Sequence, residues 1–444
     1  MTLRQRLALV AYGWFMRALL PGLLLRLWWR ARREPLYGVA IGERLGFGPA
    51  TAPGAVWLHA VSLGETRAAE PLVRALRRLR PEMRLLLTHG TATGRVAGES
   101  LLGVGDHQCW LPLDTPGAAR RFLRRHRPAL GILMETEVWP QLLHEARRAE
   151  VPVVLANARL SDKSLRQSLR FDALLRPAAQ SLALALAQTE SDAQRLRLAG
   201  VVDVQVAGNI KFDQRPLPEL LAAGESWSAG LSRPVVLAAS WREGEDAPLL
   251  DAWCALLERL ATALSGQDGQ DPVQPLLLLV PRHPQRFDEV ARLVGAAGLT
   301  LVRRSTWGTG GPGTLARQAQ VWLGDSMGEM PAYYACANAA LLGGSFAPLG
   351  GQNLIEAVAC ACPVFLGPHT FNFAQAAEGA IAAGAAWRCA DLVEAVAAAF
   401  AMAGCPDARA TASDAALAYA GQDQGAAVRM AEAMRRFTSP TTAR

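Results

Sequence analysis

Lysine is nearly missing from this 444-residue sequence: Lys163 and Lys211 are two of 46 basic residues, and the other 44 are arginines. A compact ammonium retained at such a site suits a phosphate or carboxylate partner, although chance accounts for two lysines almost as well. Cysteine is sparse and scattered, seven in number with no C-x-x-C spacing. That excludes a disulfide scaffold and a zinc ribbon and fits a reducing compartment; Cys360 and Cys362 read as strand-edge packing. The seven histidines never fall at metal-ligand spacing, and D-x-D does not occur, so a catalytic metal is not expected. A G-x-S-x-G elbow is also missing, and the glycine loop at 343–357 matches neither the P-loop nor the dinucleotide fingerprint. With 51% hydrophobic and 19% charged residues the chain is neither a disordered polymer nor a small stapled module.

Acids are absent from residues 1–33, which hold seven arginines (positions 4, 6, 17, 26, 30, 32 and 33). Since the whole chain carries +7, the remaining residues balance 39 bases against 39 acids. No basic face is left over for nucleic acid. Around these arginines run LALVAYGWFM and ALLPGLLL, followed by Trp28 and Trp29. No small-residue cleavage site follows, as a secretory signal would require. Arg17 and Pro21 interrupt the roughly 20 apolar residues of a clean transmembrane helix. The composition suits an anchor lying in, or shallowly inserted into, the interface of anionic lipids, on the cytoplasmic side because its flanks are positive. A buried helix of the first domain is the alternative.

Beyond residue 50, short apolar runs alternate with helical patterns. The runs are AVWLHA (55–60), RLLLT (84–88), PALGILM (128–134), VPVVLA (151–156), LALALA (182–187) and VDVQVA (202–207). After a polar stretch they resume with PVVLAAS (234–240), PLLLLVPRH (275–283), LTLV (299–302), QVWLGD (320–325), AALLGG (339–344) and PVFLG (363–367). This rhythm predicts an α/β chain with two Rossmann-like, doubly wound domains. The expected divisions are an anchor at 1–33, a first domain at 34–212, a linker at 213–233, a second domain at 234–424, and a closing helix and tail at 425–444. Residues 265–274 and 305–314 read as surface loops. Two such domains facing one cleft put their chemistry in the loops after strands.

Those loops carry the candidate residues. After the first strand, Ser62 and Glu65 form a capping-box pattern, but a carboxylate there can also take a proton from a hydroxyl. A helix N-terminus lowers basicity, so a base at Glu65 requires compensating burial. Glu135 and Glu137 follow a buried strand, where unpaired acids are costly and a polar role is favoured. Arg159, Lys163 and Lys211 supply cations. In the second half, Arg282 and His283 follow a strand, Gly328 and Glu329 open a helix, and GGSFAPLGGQNLIEA (343–357) reads as an anion site with Ser345 and a helix starting near Asn353. Asn353 and Glu356 form either a cap pair or a ribose contact.

In order and spacing, HAVSLGE (59–65), METEVWP (134–140), LANARLSDKS (155–164), AGNIKFD (207–213), VPRHPQRF (280–287), DSMGEM (325–330), GGSFAPLGGQNLIEA (343–357) and GPHTFNF (367–373) resemble the 3-deoxy-D-manno-octulosonic acid (Kdo) transferases of lipopolysaccharide core assembly. The resemblance covers essentially the whole chain. It implies a GT-B, inverting, metal-independent enzyme using CMP-Kdo and a tetraacylated lipid A precursor at the cytoplasmic face of the inner membrane, with no cofactor. It further implies Glu65 as proton acceptor and Glu135 and Lys211 as transition-state stabilisers. CMP contacts then fall on Pro281 and Arg282, on Met327, Gly328 and Glu329, and on Asn353, Leu354, Ile355 and Glu356. One departure is AASWREGED (238–246), which stands where a Gly-Ser-Thr-His-like segment is usual.

Overall fold

The computed structural model describes residues 1–264, 274–308, 311–422 and 424–438. It divides into two compact units, one of residues 1–214 with 423–444 and one of residues 215–422. The expected loop at 265–274 lies outside the described residues except for Gln274, and so does the end of the tail.

In the first unit, strands β1 (Val56–His59), β2 (Leu85–His89), β3 (His107–Trp110), β4 (Leu130–Met134), β5 (Val153–Ala158), β6 (Leu184–Ala187) and β7 (Val204–Val206) form a parallel sheet. Their order is β3-β2-β1-β4-β5-β6-β7. The central strands are buried along their whole length, because helices cover both faces of a parallel sheet. From β1 the chain moves outward to β2 and β3 and then returns to the other side as β4. The carboxyl ends of β1 and β4 therefore flank the point where strand order reverses, the place where such sheets bind ligands.

The second unit repeats the plan with β8 (Val235–Trp241), β9 (Leu276–Pro281), β10 (Leu301–Arg303), β11 (Val321–Leu323), β12 (Ala339–Leu342), β13 (Val364–Leu366) and β14 (Ala386–Arg388). They run parallel in the order β10-β11-β9-β8-β12-β13-β14, with the reversal between β8 and β12.

Two segments differ from the sequence expectation, and the closing helix, found where expected, gains a partner. The stretch expected as a linker contains a helix, Pro218–Ser228, that belongs to the second unit. Gly224 lets it lie against the Met330–Cys336 helix, where a Cβ would meet the Ala332 carbonyl at 2.1 Å. Trp227 is buried there, with ring centroids 5.3 Å from Trp307 and 5.8 Å from Tyr333. Trp307, in a stretch read as surface loop, thus anchors its segment. The Ala426–Thr438 helix packs on the first unit, placing Met430 and Met434 in one core with Leu72 and Leu76. Asp213 accepts from the Gly425 and Ala427 amides at 2.5 and 2.6 Å and fixes that helix's start.

The N-terminal segment is one helix, Leu3–Ala31, running through Arg17 and Pro21. By length and composition it is apolar and long enough to cross a membrane. It docks in two places: Gly13 lies against Pro116 and Gln141, with the Gln141 amide donating to the Leu9 carbonyl at 2.7 Å, and Leu27 and Ala31 pack against the cluster of Tyr37, Ala92 and Trp110. Trp14, Phe15, Leu25, Trp28 and Trp29 stay exposed.

We expect Met430→Ala to cost about 2–4 kcal/mol, a cavity-forming loss in a tight core. The loss belongs to the unit holding residues 1–214. In limited proteolysis, peptides from that unit become sensitive while those from 215–422 stay protected.

Candidate functional site

Three carboxylates gather at the carboxyl ends of β1 and β4. Ser62 caps the Leu63–Leu79 helix, and Glu65 sits at that helix's third position. Both oxygens of Glu65 are engaged: Oε2 accepts from the Val61 amide at 2.8 Å, and Oε1 from the Ser62 hydroxyl at 3.1 Å. Ser62 accepts from the Glu65 amide at 3.4 Å, so the Ser62 half of the expected capping box forms, while the Glu65 carboxylate takes the Val61 amide rather than that of Ser62. Those hydrogen bonds favour the charged form, but burial outweighs them and, with Glu135 nearby, leaves the Glu65 carboxyl above the ordinary glutamate range. Burial thus supplies the compensation that a base at a helix start requires.

Glu135 follows β4 with φ of 58°, a left-handed conformation that side-chain-bearing residues seldom adopt. Its carboxylate meets Lys211 Nζ at 2.9 Å and Arg159 Nε at 3.8 Å. Lys211 is placed by the turn Ile210–Asp213. Asn157, at the end of β5 and also left-handed (φ 53°), accepts from the Ile210 amide at 3.1 Å through its side chain. Asn209 accepts from the Lys211 amide at 3.0 Å. Glu137 completes the group. Burial first, then the charges of Glu65 and Glu135, push it up to about 7.

The structure thus brings together Glu65, Glu135, Arg159 and Lys211. Lys163 stands apart, exposed on the Asp162–Arg170 helix. His59 and His89 are buried close by but neutral, pushed by burial down to about 3 and about 4, and they hydrogen-bond to backbone carbonyls. Among the described residues no group of three or more His, Cys, Asp or Glu side chains is arranged to hold a metal ion.

In the second unit, the candidate residues again follow strand ends. Pro281 closes β9, and the exposed Arg282 anchors through its amide to the Trp241 carbonyl at 2.9 Å. Met327 is exposed, and Gly328 (φ 84°) makes the turn into the Met330–Cys336 helix. Glu329 pairs with Arg304 at 2.8 Å and with the Ser326 hydroxyl. Asn353 accepts from the Ile355 amide at 3.3 Å, beginning the short Ile355–Ala359 helix. Leu354 and Ile355 are buried, so their side chains pack while their backbone borders the loop. Glu356 is half-buried, and its charge raises the pKa of the buried Tyr334, on which Arg282 acts in the opposite direction.

Ser345, read from sequence as part of an anion site, is fully buried. Its hydroxyl donates to the Leu342 carbonyl and accepts from the Gly367 amide at 2.9 Å. It holds two loops together. The residue that sequence reading passed over is Glu245. This buried carboxylate accepts from the amides of Gly344 at 2.7 Å, Phe346 and Ala347 at 3.0 Å each, and Arg242 at 3.2 Å. It ties the loop after β8 to the glycine loop after β12. Gly343 allows that approach, since a Cβ there would meet the Ser240 carbonyl at 2.5 Å.

A family profile described as 3-deoxy-D-manno-octulosonic-acid transferase (kdotransferase) matches residues 40–214. A 3-deoxy-D-manno-octulosonic acid transferase of Bordetella pertussis is 48% identical over 435 residues, covering 95% of this chain and 98% of that relative. The chain belongs to the Kdo transferase family. The Haemophilus influenzae relative of the same name is 37% identical, covering 77% of this chain and 78% of its own. Among solved structures, a glycosyltransferase from Rickettsia africae matches with a TM-score of 0.54 at 13% identity, over 87% of this chain and 98% of that one. Anabaena HepE in complex with UDP-glucose matches equally well at 14% identity, over 86% and 98%. These likenesses establish the fold: this Kdo transferase family member is a GT-B glycosyltransferase with two parallel-sheet α/β domains.

The raised Glu137 sets a sign for pH dependence. An acid with a higher pKa folded than unfolded takes up protons on folding, so its penalty is absent below about pH 4.5 and complete above about pH 7. We expect Glu137→Gln to stabilise the protein at pH 8, by order 1–2 kcal/mol, and to leave stability unchanged at pH 4.5. Thermal unfolding at both pH values checks this.

Proposed function

We propose that this enzyme transfers Kdo from CMP-Kdo to a tetraacylated lipid A precursor, with inversion and without a metal, in lipopolysaccharide biosynthesis. The juxtaposition that carries the mechanism is Glu65, half-buried and raised in pKa, beside Glu135 held by Lys211. Glu65 takes the proton of the acceptor hydroxyl as that oxygen attacks the anomeric carbon of Kdo. The new carbon–oxygen bond forms opposite the phosphate, whose oxygen keeps the electron pair as CMP leaves. Positive charge builds on the Kdo ring as in other glycosyl transfers. Glu135 and Lys211 stabilise that transition state, the carboxylate facing the oxocarbenium and the ammonium facing the Kdo carboxylate or leaving phosphate.

We assign the acceptor to the first unit and CMP to the second. There Pro281 and Arg282, the turn Met327–Glu329, and the stretch Asn353–Glu356 offer backbone amides, a guanidinium and carboxylates for phosphate and ribose. Glu245 acts at one remove, since it fixes the glycine loop that leads into Asn353. A CMP leaving group carries a single phosphate, which amides and cations can neutralise, and this supports the metal-independent reading.

The Leu3–Ala31 helix fits membrane attachment at the cytoplasmic face of the inner membrane. Its exposed tryptophans and arginines stack, Arg32 over Trp28 at 4.1 Å and Arg17 over Trp14 at 5.0 Å, which suits a headgroup boundary of anionic lipids.

Mass spectrometry of the lipid A precursor incubated with CMP-Kdo and purified protein tests the reading. One or two added Kdo units are expected; an unchanged acceptor beside an active control enzyme overturns it. Glu65→Gln, folded as judged by circular dichroism, should lose about 10²–10⁴ in kcat. Near-normal turnover would remove Glu65 as the base. CMP, and not UDP, should raise the thermal midpoint, and Glu245→Ala should weaken that shift.

A further inference from the structure

A cavity of about 710 Å³ lies in the first unit beneath the Asp162–Arg170 and Asp172–Ala179 helices. Its walls are apolar, with Leu155, Leu175, Leu182, Leu196 and Val201 among them. Thr136 and Val138 also line it, and in sequence they alternate with Glu135 and Glu137. One wall of the cavity is therefore the catalytic loop itself. A second cavity of about 420 Å³ lies between the N-terminal helix and the start of the Asp172–Ala179 helix, against Ala8, Tyr12 and Phe15. Arg170 and Phe171 line both. Phe171 is 64% exposed and Leu169 45%, so the junction presents apolar groups outward. The two cavities mark an apolar path from the exposed face of the Leu3–Ala31 helix to the carboxylate cluster.

A cation stands where the cavities meet. Arg170, at the junction of the two cavities, is exposed and makes no ion pair among the described residues, and Lys163 and Arg166 stand exposed on the same helix outside the lining. The acids beside them are taken, Asp162 by Arg195 at 3.6 Å and Asp172 by Arg176 at 2.6 Å. No residue of the Asp162–Arg170 helix is buried, so it covers the cavity as a flap rather than as core. Apolar depth, Arg170 where the cavities meet and the reaction loop as a wall together match one ligand chemistry: an acyl chain attached to an anionic headgroup.

We propose that this cavity takes an acyl chain of the lipid acceptor, with the Asp162–Arg170 helix closing over it, so that chain docking aligns the acceptor hydroxyl with Glu65. The proposal rests on the reading of a lipid acceptor given above. Arg170 then meets the anionic headgroup.

The direct test uses wild-type, full-length protein in detergent micelles and the tetraacylated lipid A precursor carrying a diazirine at one acyl terminus. After irradiation, peptide mapping should place adducts on residues lining the cavity, Leu175 and Leu182 foremost. Adducts confined to the Leu3–Ala31 helix would overturn the proposal. A diazirine phospholipid marking the same residues, and not displaced by excess acceptor, would overturn it too, since the cavity would then hold bulk lipid. Kinetics give a second arm. Leu175→Trp fills the cavity and should raise the apparent KM for the tetraacylated acceptor, by about fourfold for each methylene excluded. It should leave kcat/KM unchanged on the fully deacylated sugar phosphate, whereas equal losses on both acceptors would count against the cavity. Wild-type transfer indifferent to acyl chains sinks the cavity alone; a wild type that transfers Kdo to no acceptor sinks this inference together with the functional reading.

Discussion

The ion pair between Glu135 and Lys211 is the constraint on which the first unit's site depends. Glu65, Glu135 and Glu137 crowd the ends of two adjacent strands, and burial raises the cost of charge on Glu65 and Glu137. One ammonium at 2.9 Å, with the Arg159 guanidinium at 3.8 Å, offsets the charge of Glu135 beside Glu65. The backbone bears the strain that this requires. Glu135 and Asn157 both adopt left-handed conformations at the ends of β4 and β5, and Asn157 holds the turn that presents Lys211. Strand ends at a reversal of sheet order are where such strain serves chemistry, because loops from both sides converge there.

The second unit solves the same positional problem with a different device. Its reversal lies between β8 and β12, and a single buried carboxylate, Glu245, fastens the two loops through four backbone amides. Ser345 fastens the glycine loop to the segment after β13. In the first unit the carboxylates stand together at strand ends; in the second the most buried one shapes the backbone. That division is in keeping with the proposed assignment of proton chemistry to the first unit and of the nucleotide to the second.

How much was legible in the sequence follows from burial. The central strands stood out as apolar runs because both faces of a parallel sheet are covered. β3 and β14 did not, and both are short edge strands: HQCW is half polar, and AWR spans only three residues. The Pro218–Ser228 helix looked like a linker because its packing rests on Gly224 and Trp227, whose partners lie 80 or more residues away. The last helix showed an apolar stripe, but a stripe does not name its partner, and the chain returns to the first unit to bury it. For the site, strand-end placement singled out Glu65, Glu135 and Lys211 without revealing that the last two pair. Glu245 carried no signal, since a carboxylate that serves amides from a distant loop resembles any loop acid.

The most direct test of this electrostatic account is the acid limb of kcat/KM against pH, which reports the base of the free enzyme. The account predicts a limb above the ordinary glutamate range in the wild type, moving to lower pH in the residual activity of Glu135→Gln, because that replacement removes a charge that raises Glu65. A wild-type limb at or below an ordinary glutamate, unmoved by the replacement, would contradict it.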